Sequence, residues 1–360
     1  MKTLIVTNHS FMLWQFRREV IAELLKKGEV VISTPFVGHE KEFKEMGCRM
    51  IETKLKRRSL NPFSELRLAY SYYKLLKEEA PEYTITYSIK PNIYAGFACR
   101  LLKIPYYTNV QGLGTMFQKK LTAMVASVMY WTGIKKALGV FFENIADANE
   151  FIKRRIVSSD KVTVFNGAGV NLHYFSKQPY PDDNDGIHFL YLGRIMKEKG
   201  VDEFFSAAVN LKKKLGNKVH FDVVGFFDDE YKEVVERLVN DGIIAFYGFQ
   251  DDPRPWYTQA HCVVLPSYHE GMSNVLLEGA ATGRPLITTD IPGCREAVDD
   301  GITGFLCRKM DVADLENCMT RIIFMTWEKR LEMGLQGRFK IEKHFDRQLI
   351  VEKLIKIIFD

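Results

Sequence analysis

Paired cysteines, clustered histidines and an opening export signal are all missing from this chain. Its six cysteines stand apart at positions 48, 99, 262, 294, 307 and 318, with no Cys-x-x-Cys pair and no histidine group at metal-ligand spacing. That excludes a zinc ribbon or a disulfide framework and leaves reduced, mostly buried thiols. Met1 to Thr7 runs directly into Asn8, His9 and Ser10, where a signal peptide would need basic residues, an apolar core and a small-residue cleavage site. A cytoplasmic location is therefore expected. The apolar stretch LTAMVASVMYWTGI at 121–134 is shorter than the ~20 residues a membrane-spanning helix needs. No nucleic-acid-binding motif occurs, so nucleic acid is not an expected partner.

What is present is the composition of a globular protein, 46% hydrophobic and 26% charged over 360 residues. That length allows two domains, each able to bury its own core. The charge is uneven: residues 1–170 hold 26 Lys and Arg against 15 Asp and Glu, and residues 171–360 hold 24 against 30. A basic first half attracts phosphates or the anionic inner leaflet of a membrane, and a peripheral membrane surface is the partner we favour. Lys119 and Lys120 before the 121–134 stretch and Lys135 and Lys136 after it bracket an apolar segment. Together with Lys54, Lys56, Arg57 and Arg58 it fits a helix lying among lipid headgroups; the alternative is a core helix of the first domain with solvated ends.

Apolar runs alternate with amphipathic stretches: TLIVT (3–7), a helix over 14–27, VVIST (30–34), YTITY (83–87), 91–103 as an amphipathic stretch, PYYTNV (105–110), GVFFE (139–143) and KVTVF (161–165). Such βαβ alternation predicts a parallel sheet covered on both faces. The polar segment KQPYPDDNDG (177–186) interrupts the pattern, and a second series follows in IHFLYLG (187–193), VHFDVVG (219–225), IIAFYG (243–248), CVVLP (262–266) and PLITT (285–289), with helices to the end. The fold class is α/β, two Rossmann-like doubly wound domains facing across a cleft. We place the first at 1–175, the second at 176–340, and a last helix at 341–360 packing back on the first. Ligands of such sheets sit beyond the carboxyl ends of the strands.

Two loops at such ends carry chemistry. GRIMKEKG (193–200) follows a strand and opens a helix: Gly193 allows close backbone approach, and Arg194 and Lys199 supply two cations beside helix amides. The set suits a diphosphate, although a solvated basic turn has the same composition. In PSYHEGMSNVLLEGAATGRP (266–285) a helix starts near Ser273 or Asn274, so the amides of Gly271, Met272 and Ser273 are expected to face an anion. Glu270 stands outside that nest, placed to accept from sugar hydroxyls, and Glu278 lies a turn along the helix within reach of a diol. Asp183-Asn184-Asp185 matches the Asp-x-Asp of many metal-dependent transferases, but its place in the polar linker reads as a solvated turn. With Arg194, Lys199 and helix amides to offset phosphate charge, no metal or other cofactor is expected.

Four ordered segments, GRIMKEKG, the two-glutamate segment, TTDIPGCREAVDDGITGFLC (288–307) and VFNGAGVNLHYF (164–175), resemble the retaining GT-B glycosyltransferases of family four. The resemblance implies that Arg194 and Lys199 grip the donor diphosphate, that Glu270 holds the sugar and Glu278 the ribose, and that Gly271 to Asn274 supply phosphate amides. It implies a nucleobase pocket at Tyr247, Gly248 and Phe249. Arg194, Lys199 and Glu270 are then the catalytic set. SIKPNIYAGFACRLLKIPYYTNVQGLG (88–114) resembles enzymes that extend undecaprenyl-diphosphate-linked sugars for capsule, O-antigen or N-glycan assembly. That implies a UDP-sugar donor, N-acetylhexosamines such as N-acetylgalactosamine included, and a lipid-linked glycan acceptor. The first domain departs from the family: NHSFMLWQFRREV lacks the double glycine after strand one, and Gln111 stands where relatives often place a histidine, leaving His9 as a substitute. His9, Lys90, Asn92, Gln111 and Gly112 are the acceptor-side candidates. A non-catalytic nucleotide-sugar or glycan-binding partner subunit and a UDP-sugar epimerase of similar shape are the alternatives.

Overall fold

The structure is a computed structural model that describes residues 1–55, 61–113, 117 and 120–359. It divides into two compact units, Met1–Ala168 with Gln348–Asp360, and Gly169–Arg347. The chain thus leaves the first unit after Ala168 rather than after 175, and returns to it at Gln348 rather than 341. Where it crosses, the two segments pair: the Val170 amide donates to Phe345 O at 2.8 Å and the Arg347 amide to Val170 O at 3.1 Å. Gly169, at φ +66°, lies so close that a Cβ there would stand 2.7 Å from the Arg347 backbone, which only glycine tolerates.

The first unit holds β1 (Lys2–Val6), β2 (Glu29–Thr34), β3 (Arg49–Glu52), β4 (Tyr83–Tyr87), β5 (Tyr106–Val110), β6 (Gly139–Phe142) and β7 (Val162–Val164) in the order β3-β2-β1-β4-β5-β6-β7. Every pairing in it is parallel. Leu4, Ile5, Val6, Val30, Val31 and Ile32 are fully buried, because a parallel sheet carries packing on both faces. One of those faces is completed from the far end of the chain. Val351, Leu354 and Ile358 of the helix Arg347–Phe359 join Ile5, Leu13, Ile32 and Tyr107 in one cluster, and the Tyr107 hydroxyl donates to Ile357 O at 3.2 Å.

The second unit holds β8 (Ile187–Leu192), β9 (Val219–Val224), β10 (Ala245–Phe246), β11 (Cys262–Leu265), β12 (Leu286–Thr289) and β13 (Gly304–Cys307) in the order β10-β9-β8-β11-β12-β13, again parallel. The short strands β3 and β13 were not expected from the sequence: four residues each are too few to show a periodicity. Chain order reverses at β1/β4 in one sheet and at β8/β11 in the other, and the carboxyl ends at these switch points are where such sheets form ligand crevices. Segment 177–186 is not a loose linker. The Asp183 carboxylate pairs with the guanidinium of Arg330, whose side chain is almost wholly buried, and the Tyr180 hydroxyl donates to His261 O at 2.8 Å. Asp183 is therefore a structural anchor, where a solvated turn was expected.

The helix Lys120–Ile134 has one buried face and one exposed apolar face. Ala123, Ala126, Tyr130 and Ile134 are buried, while Leu121 is 71% and Val128 60% exposed, with Met124, Val125 and Trp131 on the same side. Lys135 Nζ lies 4.0 Å from the centre of the Trp131 ring. Lys119 and the basic residues Lys56, Arg57 and Arg58 lie outside the described residues. Among the described residues no helix is long and apolar enough to cross a membrane.

The packing of the last helix makes one measurement decisive. Leu354→Ala is expected to lower the stability of the first unit by about 3 kcal/mol, the usual consequence of truncating a buried leucine. Urea titration followed by circular dichroism reads it, and an unchanged midpoint would separate this helix from the core.

Candidate active site in the second unit

Gly193 follows β8, and its amide is held by Val224 O at 2.9 Å. The next residue, Arg194, leaves the sheet toward solvent and is 41% exposed; its Nη1 lies 2.6 Å from Asp228 Oδ2, on the segment after β9. Lys199 instead turns inward. Its ammonium pairs with Glu270, both side chains being largely buried, and Ser267 Oγ donates to the same Glu270 oxygen at 2.8 Å. The GRIMKEKG loop is bound to the strand β11 side by the Tyr268 amide, which donates to Glu198 O at 2.8 Å.

Tyr191, buried in β8, ties the two cations to one locale. Its hydroxyl donates to Arg194 O at 2.9 Å, and its ionisation is pushed well up, first by burial and then by the charge of Glu270, with Arg194 opposing. Glu270 and Arg194 thus act in opposite senses on one hydroxyl.

The helix Asn274–Ala281 starts where the sequence indicated, with Ser273 as its cap: Ser273 Oγ accepts from the Leu276 amide. The Ser273 amide itself is not open to a ligand, since it donates to Gly293 O at 2.8 Å. This corrects the expected row of amides, and the cause lies in a loop remote in sequence. Gly293, at φ +85°, fits so tightly that a Cβ there would stand 2.5 Å from both Glu270 O and Gly271 O. Met272 is also buried, within the unit's core, so its side chain does not face a ligand. The first-turn amides of Asn274 and Val275 have no acceptor within the helix, and Asn274 Oδ1 is buried without a partner.

Glu278 is 4% exposed. Its Oε2 accepts from the Tyr257 hydroxyl at 2.9 Å. Burial pushes its carboxyl up to about 7, against the opposing pull of that hydroxyl and of Arg347. Tyr247 and Phe249 stand beyond β10, but they differ. The Tyr247 hydroxyl donates to Asp222 Oδ1 at 3.1 Å, folding back on the sheet, while half-exposed Phe249 meets Phe226 edge to face at 5.9 Å. The Ile195 amide donates to Phe226 O at 2.8 Å, so the aromatic pair adjoins the Arg194 loop. Asp228, Ser267, Phe226 and Gly293 had not been singled out; the Phe226-Phe227 doublet directly after the strand VHFDVVG was the one legible sign.

In the first unit the acceptor candidates lie after β1, β4 and β5, three neighbouring strands. His9 caps the helix Ser10–Leu25, its Nδ1 accepting from the Met12 amide at 3.3 Å, and Gln111 Nε2 reaches Met12 Sδ at 3.4 Å, with Gly112 next to it in the chain. Lys90 Nζ is paired with Glu65 at 2.7 Å. Asn92 does not belong with them: it is fully buried, and its amide donates to Asn109 O at 2.8 Å. It ties the helical turn Pro91–Ala95 to β5, and its buried side chain is not presented to an acceptor.

Residues 186–324 match the family described as Glycosyl transferases group 1. The chain is 25% identical to the N,N'-diacetylbacillosaminyl-diphospho-undecaprenol alpha-1,3-N-acetylgalactosaminyltransferase of Campylobacter jejuni, over 96% of this chain and 95% of that protein. It is 26% identical to the UDP-Gal:alpha-D-GlcNAc-diphosphoundecaprenol alpha-1,3-galactosyltransferase of Escherichia coli, over 84% and 81%. Among solved structures, Anabaena HepE in complex with UDP and glucose superposes with a TM-score of 0.81 at 16% identity, covering 99% of both chains. Staphylococcus aureus TarM gives 0.76 at 12% identity, covering all of both chains. These structures show the fold, the GT-B architecture.

The buried Glu278 gives a stability signature. A carboxyl raised in the folded state keeps its proton where the unfolded chain has lost it, so stability falls as pH rises from about 4.5 to about 7. Glu278→Gln is expected to remove that fall, worth up to about 3 kcal/mol; parallel pH dependences for the two proteins in thermal unfolding would place the charge outside the core.

Proposed function

We propose that this chain, whose residues 186–324 form a Glycosyl transferases group 1 domain, moves an N-acetylhexosamine such as N-acetylgalactosamine from a UDP-sugar to a polyprenyl-diphosphate-linked sugar. The observation that carries the reading is the Lys199–Glu270–Ser267 group beside the start of the helix Asn274–Ala281, with the Arg194 backbone held by the hydroxyl of buried Tyr191. The full-length likeness to transferases named for undecaprenyl-diphosphate acceptors supports the substrate class.

In this reading the donor diphosphate exchanges for Glu270 at the Lys199 ammonium. Glu270 is freed to accept from the sugar hydroxyls, and Asn274 and Val275 offer their amides to the phosphates. As the bond between the anomeric carbon and the phosphate oxygen lengthens, negative charge gathers on the departing UDP, and fixed cations and amides in a site short of water stabilise it. The acceptor hydroxyl attacks from the same face while its proton passes to the departing phosphate, so configuration is retained. Lys199 and Arg194 supply the positive charge that a divalent ion supplies in other transferases, and turnover is metal-independent.

The acceptor is a lipid, and we assign its membrane contact to the exposed side of the helix Lys120–Ile134. Leu121, Met124, Val125, Val128 and Trp131 form an apolar stripe that ends at Lys135, an arrangement suited to lying in a headgroup layer that carries negative charge.

Incubation with UDP-N-acetylgalactosamine and a synthetic polyprenyl-diphosphate sugar tests the whole reading: the expected product is a lipid-linked sugar longer by one residue, with and without EDTA. Lys199→Ala is expected to cut its formation by about 100-fold, the scale of losing one fixed charge at a developing anion, in a chain that still folds but is less stable because Glu270 has lost its partner. A fully active variant, or dependence on added metal, overturns that assignment. Leu121→Ser with Val128→Ser is expected to weaken sedimentation with anionic vesicles roughly tenfold, given the apolar area removed; unaltered binding would move the membrane contact elsewhere.

A further inference from the structure

Asp222 is an unusual residue for its place. It lies inside the six-residue strand β9, between β8 and β10, where apolar side chains pack best, and its side chain is mostly buried. Its two oxygens are divided between neighbours. Oδ2 lies 2.8 Å from Nδ1 of His188 on β8, and Oδ1 accepts from the Tyr247 hydroxyl at 3.1 Å. The carboxylate therefore spans from one flanking strand to the loop that follows the other.

Strand β10 is two residues long and pairs with β9 alone, so the sheet does little to fix what comes after it. The Tyr247 amide donates to Val223 O at 3.0 Å and the Gly225 amide to Gly248 O at 2.9 Å. The tie from Tyr247 to Asp222 fixes the first side chain of the loop, steadied by Trp256, whose ring lies 5.8 Å from that of Tyr247; further along, Gln250 Nε2 donates to Tyr247 O at 2.7 Å and the Tyr174 hydroxyl to Asp252 Oδ1 at 3.4 Å. Burial and then the Asp222 charge push the Tyr247 hydroxyl up to about 12, so it stays a donor across the neutral range. Two residues on, Phe249 stands edge to face with Phe226, and both rings are about half exposed.

We propose that Asp222 is a positioning residue for the donor's nucleobase. By holding Tyr247 it sets the loop that carries Phe249, and so the Phe226–Phe249 platform on which a planar pyrimidine ring stacks. This rests on the functional reading above, in that the donor is a nucleoside diphosphate sugar. It separates two tasks within one site: Asp222 governs the base, while Lys199 and Arg194 govern the diphosphate. A hydrogen bond to a charged acceptor is worth enough to matter here, and its loss frees the Tyr247 side chain to turn to solvent.

Calorimetric titration of the whole chain with UDP and, separately, with inorganic diphosphate distinguishes the tasks. Asp222→Ala and Tyr247→Phe are each expected to weaken UDP about tenfold, as the loss of one such bond implies, while diphosphate affinity stays within about twofold. The double variant is expected to be no worse than either single one, because both remove the same bond. Asp222→Asn, whose amide oxygen still accepts from Tyr247, is expected to restore most of the affinity. In turnover the loss falls on the donor KM, with kcat at saturating donor preserved. Equal losses for UDP and diphosphate, or full UDP affinity in Tyr247→Phe, overturn the proposal; Tyr247→Phe removes a single hydroxyl from a part-exposed ring, so its fold is not at risk. A parent chain that fails to bind UDP refutes the functional reading itself instead.

Discussion

The ion pair between Lys199 and Glu270 is the contact on which the site depends. Both side chains are largely withdrawn from solvent, and an ammonium or a carboxylate left alone at such a depth is strongly disfavoured. Each charge is therefore tolerated because the other is present, with Ser267 satisfying a further lone pair of the carboxylate. An anionic ligand can replace Glu270 at the lysine without leaving a buried charge unmatched, provided that the freed carboxylate finds hydroxyl donors of its own. A phosphate joined to a sugar offers both at once. In the proposed reaction the pair would thus select a ligand that carries negative charge beside a polyol.

Its location follows from the sheet. Because both faces of a parallel sheet are covered, strand interiors are apolar, and polar chemistry is displaced to the strand ends. Gly193 and Arg194 follow β8, Phe226 and Asp228 follow β9, Tyr247 and Phe249 follow β10, and Ser267 and Glu270 follow β11. Four adjacent strands thereby deliver their successors to one edge. Asp222 lies within a strand, beside His188 of β8, and is compensated by two hydrogen-bonding neighbours.

Much of this was legible beforehand. Apolar runs alternating with amphipathic stretches marked the order of strands and helices, and the place of segment 266–285 between two strands put the helix start within a residue. What could not be read was who partners whom. Ser273 looked like an open amide, yet Gly293 from twenty residues downstream takes it. Asn92 looked like an acceptor-side polar residue, yet it is buried and holds Asn109. Asp183 looked solvated, yet it neutralises Arg330. Each error has one origin: a polar side chain announces its capacity to bond, while the identity of its partner is set by contacts distant in the chain.

The amino-acid sequence by itself determined the elements, the α/β class and the residue types at the carboxyl ends of β8 and β11, because periodicity, glycine placement and helix capping are local in their physics. The tertiary structure alone decided that Lys199 faces Glu270 while Arg194 faces Asp228, that the helix Arg347–Phe359 completes the core of the first unit, and that Asp222 reaches Tyr247. Those outcomes depend on which buried charges and donors are brought within three ångströms of one another, and only the packed chain fixes that distance.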